Sequence, residues 1–313
     1  MKKLVLLFIS IAIIIGALWL LPTQKQYTQK IIINCTPTAA TRIISNFNHW
    51  KQWWPGEIKN DSIVSYKKSS VKLQTILLNG FYAAFNHPNI PSFIDLQFLS
   101  APDTHSEFIY SYTLYYSPNP FKKAIQFLFQ SHEVKQELDS FLKDIKSNLE
   151  NVNKVYGFEI TEERVPNSIH ISVKKEFNHL PNNDDIYSLV EALQGYIESN
   201  QAKAINDPIY NVFTTNDIHY QLMVAIATDR PLPSKGDFSY KEMVRGKIII
   251  GKAIGPNAAI DECMKQVEYF VKDHGRSSPA IQFNRMISDR RKESDSTKWI
   301  TTVNYPVFDR SFF

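Results

Sequence analysis

Hydrophobic and polar positions change rhythm several times along the chain, and each change marks an element. From Leu4 to Leu21 there is no alternation: the run is apolar throughout, with only Ser10 and Gly16 as softer positions. About 18 residues at ~1.5 Å each reach roughly 27 Å, enough to cross a hydrocarbon core. A cleaved leader ends on small residues, whereas this run ends Leu18-Trp19-Leu20-Leu21-Pro22, which favours an uncleaved transmembrane helix. Lys2 and Lys3 precede the run, so the positive-inside rule places the remainder outside the cytoplasm, on a single pass through the cell (inner) membrane.

Beyond Pro22 the rhythm is that of a folded α+β protein. Lys30 to Asn34 reads as a strand, and Thr36-Pro37 as a capped helix start, where proline's missing N–H costs nothing. The helix carries Ile43, Ile44 and Phe47, and runs into a dense aromatic cluster, Trp50, Trp53 and Trp54, closed by Pro55-Gly56. Between Val71 and Tyr116 the period is two. Ile94, Leu96 and Phe98 alternate with Asp95 and Gln97, and Phe108, Tyr110, Tyr112 and Leu114 alternate with Ile109, Ser111 and Thr113. These are antiparallel strands with one buried face. After Pro120 the spacing turns helical, with Val134, Leu138, Phe141, Leu142, Ile145, Leu149 and Val152 on one face of a long amphipathic helix.

The second half repeats itself. One copy runs from the strand Ile169–Val173 through a helix with Ile186, Leu189, Leu193 and Ile197 to the strands Ile209–Phe213 and Tyr220–Ile226. The other runs from Lys247–Ile250 through a helix with Ile260, Met264, Val267 and Val271 to Ala280–Phe283 and Trp299–Tyr305. Each copy is strand, helix, strand, strand, with a proline (Pro208, Pro279) just before the third element. Neither copy could bury a sheet face alone. Pairing them makes one sheet with both helices on one side and a seam between the halves, where pockets form.

Length agrees with more than one unit: 313 residues exceed the usual size of a single domain. The division expected is an anchor and linker over residues 1–27, a first soluble domain over 28–153 and a second over 154–313. A net charge of +4 does not point to nucleic acid, which needs basic side chains crowded onto one face. The basic run Arg290-Arg291-Lys292 is followed at once by Glu293 and Asp295, and reads as a solvated loop. Cys35 and Cys263 fall in different domains and form neither a disulfide framework nor a metal cluster.

Catalytic constellations are missing from the linear sequence. There is no G-x-S-x-G elbow, no H-E-x-x-H pair, no phosphate-cradling glycine loop, and the eight histidines lack ligand spacing. No cofactor or metal is implied.

Two family resemblances follow from these residues. The opening strand, the helix from Thr36, the segment Phe47 to Pro55 and the long helix from Ser131 resemble the START-like, or SRPBCC, helix-grip superfamily over residues 28–153. That resemblance implies a curved sheet gripping a helix over a cavity for apolar ligands. Trp50 and Trp53 are then candidates to line it, or simply to fill the core. Residues 154–313 resemble a GyrI-like effector-binding domain, on the repeat itself, Ile254-Gly255-Pro256, Gly275 to Phe283, and the closing Trp299 to Val307 with Tyr305-Pro306. That resemblance implies binding of amphipathic, often cationic aromatic compounds between the repeats; a few relatives are hydrolases. Tyr210, Phe213, Tyr220, Phe283 and Trp299 are the aromatic candidates for the pocket, Trp299 foremost because an indole offers a broad face and one donor. The family commonly places a glutamate four residues before the closing proline. Here that position is Thr302, which cannot neutralise a buried cation.

The expected function is a membrane-anchored sensor or carrier that binds a hydrophobic or amphipathic small molecule without transforming it. A hydrolase would need a buried acid near Trp299, drawn from Glu242, Asp289 or Glu293. An envelope protein-interaction module would instead show exposed apolar surface and no cavity.

Overall fold

The computed structural model describes all residues except 1–8, 11, 12, 14, 61, 101–105, 166–168, 217, 218 and 309–313. The chain divides into two compact units, Met1–Val155 and Tyr156–Phe313. The class is α+β, with one antiparallel sheet in each unit.

Among the described residues no helix is long and apolar enough to cross a membrane. This corrects the expectation of a transmembrane anchor and, with it, of a single-pass inner-membrane location. Before Pro22 the described helical residues are 9, 10, 13 and 15–19, with a turn at Leu20. Much of the stretch 4–14 lies outside the described residues.

In the first unit six strands form a sheet: β1 (Gln24–Ile33), β2 (Ile63–Tyr66), β3 (Ser69–Leu77), β4 (Gly80–Asn86), β5 (Pro91–Ser100) and β6 (Ser106–Tyr115), ordered β1-β6-β5-β4-β3-β2. The period-two pattern decides its faces. Phe81, Phe85, Ile94, Leu96, Phe108, Tyr110, Tyr112 and Leu114 are all buried, and they lie on the side covered by the helices. Between β1 and β2 come α1 (Pro37–Ile44) and the short α2 (Trp50–Trp53). Thr36 caps α1 by accepting from the Ala39 N–H at 3.3 Å. After β6, α3 (Pro120–Ile125) continues through a π-helical turn, Gln126–Gln130, into α4 (Ser131–Leu149). The extra residue of that turn is held by Gln126, whose side chain accepts from the Ser117 N–H at 2.6 Å and donates to the Asn89 carbonyl at 2.7 Å. The α4 stripe Val134, Leu138, Phe141, Leu142, Ile145 and Leu149 is buried as its spacing required.

Among its described residues the second unit has eight strands and two long helices: β7 (Glu159–Arg164), β8 (Ile169–Phe177), α5 (Asn183–Ser199), β9 (Ile209–Asn216), β10 (His219–Ala227), β11 (Phe238–Glu242), β12 (Lys247–Ile254), α6 (Asn257–Asp273), β13 (Phe283–Met286) and β14 (Ile300–Val307). The sheet order is β11-β8-β10-β9-β13-β14-β12-β7, all antiparallel. Thus β8-α5-β9-β10 and β12-α6-β13-β14 are two copies of strand, helix, strand, strand, joined where β9 meets β13. That seam is short, with Tyr210 opposite Asn284 and Ile209 opposite Arg285.

Alternation assigns every strand residue to one of two faces. On one side Tyr210, Leu222, Val224 and Ile226 pack on Ile186, Leu189, Val190 and Leu193 of α5. On the same side Ile249, Ala253, Val303 and Val307 pack on Ile260, Cys263, Val267 and Val271 of α6. Asn284, paired with both Tyr210 and Val303, shows that the two helices share this face. The other face carries no helix, and among the described residues Ile209, Ala225, Ile248 and Phe283 form a buried cluster there.

One element is displaced from its sequence-based position. The spacing predicts the third element of the second copy over residues 280–283, but β13 begins at Phe283. Ser278 Oγ accepts from the Ala280 N–H at 3.3 Å and donates to the Ala280 carbonyl at 2.6 Å, closing a tight turn after Ser277. Ala280 and Ile281 are therefore loop, not ladder.

Candidate functional site

The helix-free face of the second sheet is where a site forms, because its strands leave apolar side chains uncovered there. β8 presents His170 and Ser172, β10 Met223 and Ala225, β9 Ile209 and Asn211, and β13 Phe283. These line a cavity of about 310 Å³ together with Tyr210, Lys241, Glu242, Met243, Ala280, Ile281, Gln282 and Pro306. The volume lies at the low end of the roughly 300–1,000 Å³ typical of small-molecule sites. Met243 comes from the segment after β11, between the two copies, and Ile281 from the segment before β13, within the second copy. Two of its polar members are already engaged: Ser172 Oγ donates to the Ser239 carbonyl at 3.1 Å, and Asn211 Nδ2 to the Gln282 carbonyl at 2.8 Å.

On the helix side a second cavity of about 280 Å³ lies at the same seam. It shares Tyr210, Asn211, Gln282 and Phe283 with the first and adds Leu180, Pro181, Ile186, Val212, Asn257, Ile260, Asp261, Met264 and Asn284. Tyr210 ends the two-residue β9–β13 ladder and Asn211, Gln282 and Phe283 sit just beyond it, so both hollows arise from the same cause: the halves pair too briefly to close the sheet.

Adjacent to the first cavity, one row of the helix-free face reads Ala225, Ile209, Arg285, Thr302 and Lys252 across β10, β9, β13, β14 and β12. Lys252 pairs with Glu159 at 3.8 Å. Arg285 Nε is buried without a hydrogen-bond partner. In the next row Asn304, fully buried, donates to the Thr302 carbonyl at 2.8 Å and to its hydroxyl at 3.1 Å, while its own Oδ1 is unpartnered.

The candidate residues separate clearly. Tyr210 and Phe283 line both cavities. Thr302 shares the cavity's face, in the row beside it, but is not in its wall. Phe213 is 55% exposed further along β9, and Tyr220 lies on the helix face of β10, opposite Phe177. Trp299 is in neither wall: its Nε1 donates to the Glu293 carbonyl at 2.7 Å, and the Arg290 guanidinium covers its ring. Trp50 and Trp53 belong to the first unit, fully buried, with Nε1 atoms donating to the Ile44 and Ile43 carbonyls at 2.9 and 3.3 Å. Trp50 stacks on Trp54 at 4.9 Å and meets Trp53 at 5.0 Å.

Among the wall residues that sequence reasoning missed are His170, Met223, Ala225, Met243 and Ile281. Only the β8 and β10 alternation could have suggested the first three; the loop residues carried no signal.

Of the acids proposed for hydrolysis, Glu242 lines the cavity but is exposed. Asp289 bonds to Arg291 at 3.1 Å, and this contact holds its carboxyl below the usual range despite slight burial. Glu293 accepts from the Asp295 N–H at 2.9 Å. No group of three or more histidine, cysteine, aspartate or glutamate side chains among the described residues is placed to hold a metal ion.

No family model matches the chain, and no curated protein matches it. Solved structures resemble it at low identity. The EcmrR–DNA complex is 12% identical, with 62% of this chain and 73% of that chain covered and a TM-score of 0.43. A hydrolase from Listeria innocua is 12% identical, covering 47% of this chain and 91% of that one, with a TM-score of 0.36. SAV2435 bound to tetraphenylphosphonium is 12% identical, covering 48% and 93%, with a TM-score of 0.32. Similarity this slight carries no weight for function.

Proposed function

We propose that the second unit is a binding module for a hydrophobic or amphipathic small molecule, held in the cavity on the helix-free face of its sheet. The carrying observation is a hollow of about 310 Å³ walled chiefly by Ile209, Tyr210, Met223, Ala225, Met243, Ile281 and Phe283, beside a seam that two repeats leave unclosed. Burying apolar ligand surface there gains about 25 cal/mol per Å² before the cost of association. The GyrI-like resemblance of residues 154–313 supports this reading through the two strand-helix-strand-strand copies. Binding without turnover is preferred to hydrolysis because the one acid in the wall, Glu242, is exposed.

Native mass spectrometry of the full chain tests the proposal. Apolar aromatic compounds should be retained by the wild-type protein and lost by Ala225→Trp, whose indole fills the cavity floor. Equal retention by both would place the binding elsewhere.

A further inference from the structure

Resting on the binding role just proposed, we infer that the ligand is an amphipathic anion, a flat apolar body bearing a carboxylate or sulfonate, and that Arg285 is its charge partner. Arg285 stands on the cavity's face, directly across from the wall residue Ile209 and two positions along β13 from the wall residue Phe283. Those separations are about 4.8 Å across strands and roughly 6–7 Å along one, within the span of an arginine side chain.

Its Nε is buried and has no hydrogen-bond partner. A guanidinium N–H withdrawn from water and left unmade carries a penalty that an incoming acceptor would relieve. Beside it on β14, next to the cavity, are Thr302, whose hydroxyl accepts from Asn304, and Asn304 itself, fully buried; both are neutral, and β14 carries no carboxylate. The neighbouring basic residue in the row, Lys252, already has Glu159 at 3.8 Å. At the rim, Lys241 and Glu242 are both exposed. A cationic ligand seated on Phe283 would meet the like charge of Arg285, with the wall's acid, Glu242, exposed to solvent; an anionic one would complete a charge-assisted hydrogen bond.

The test uses three probes that share one ring system: 2-naphthoate, 2-naphthylmethylammonium and the neutral 2-naphthylmethanol, titrated into the full-length protein by calorimetry. Naphthoate should bind roughly tenfold or more tighter than the ammonium, as a charged hydrogen bond implies. Arg285→Gln should abolish that preference, and Arg285→Lys should retain part of it. Binding of the neutral probe without preference for the anion, or with preference for the ammonium, overturns the assignment of charge alone. Failure of all three to bind overturns the binding role as well. The wild-type comparison needs no variant to fold.

Discussion

The Arg290 guanidinium lies over the Trp299 ring, 5.0 Å from its centroid, and the arginine is buried in the second unit. Its terminal nitrogens donate to Asn183 Oδ1 at 2.7 Å, Asn257 Oδ1 at 3.2 Å and Thr301 Oγ1 at 2.9 Å. Asn183 opens α5 and Asn257 opens α6, so one side chain ties the helix starts of both repeats to β14. Trp299 is thereby a structural platform for the Arg290 cation, a contact worth about 2 kcal/mol when desolvated.

Arg290→Met should lower the unfolding free energy of the second unit by about 3 kcal/mol, since three acceptors lose a charged donor and one of them, Thr301, is buried. Urea titration followed by Trp299 fluorescence measures this. Arg290→Lys should recover little, because an ammonium cannot reproduce a planar fork bonded on three sides. A variant as stable as wild type would show that the clasp is dispensable.

Gly251 lets α6 sit directly on β12. A Cβ there would stand 2.5 Å from Val267 Cγ2 and 2.7 Å from Cys263 Sγ. Gly251→Ala should therefore cost about 1–3 kcal/mol through overpacking. Cys263 reports on it: burial foremost, with the neighbouring Glu262 charge, pushes this thiol up to about 12, so the native protein should resist iodoacetamide at neutral pH. Alkylation should accelerate in Gly251→Ala, and adding Val267→Ala should slow it again.

Asp185 and Asn182 form a reciprocal cap on α5: Asp185 Oδ2 accepts from the Asn182 N–H at 2.9 Å, and Asn182 Oδ1 from the Asp185 N–H at 3.0 Å. The Asn182 N–H, then the His179 contact, hold the Asp185 carboxyl below its ordinary value, outweighing slight desolvation. A depressed folded value means the unfolded chain takes up the proton first as pH falls. The stabilisation is complete above the ordinary aspartate range and disappears as pH drops through the lowered one. Asp185→Ala should cost about 1 kcal/mol at neutral pH and almost nothing once the wild-type carboxyl is protonated. Thermal melts of both proteins across that interval check it.

In the first unit, Trp50→Ala should remove about 3–5 kcal/mol of stability, since the side chain is fully buried, stacked on Trp54 at 4.9 Å, and bonded to the Ile44 carbonyl at 2.9 Å. Guanidinium unfolding followed by aromatic circular dichroism measures the loss; a change below about 1 kcal/mol would mean the ring is not held as described.

Legibility in the sequence followed how local the deciding interaction is. The alternation of Phe108, Tyr110, Tyr112 and Leu114 and the helical stripe of α4 are properties of neighbouring residues, and their burial could be read directly. The Leu4–Leu21 run shows the limit of composition, since apolar content alone set a membrane span that no described helix matches. The run Arg290-Arg291-Lys292 reads as solvated, yet Arg290 is 6% exposed; its partners Asn183 and Asn257 are distant in sequence, and nothing near Arg290 announces them. Tyr210 and Phe283 could be singled out as aromatics at the seam. Met223, Met243 and Ala225 could not, because a cavity wall is set by which strands become neighbours and where the ladder stops.

The most direct measurement of the central claim is methyl NMR of the protein labelled at its methionines, five in all, titrated with 2-naphthylmethanol. Met223 and Met243 line the proposed site, Met264 the helix-side cavity, and Met286 the α5 core. The account predicts saturable ring-current shifts at Met223 and Met243 with Met286 unmoved. Shifts confined to Met264, or none at any methyl while the compound binds, would contradict it.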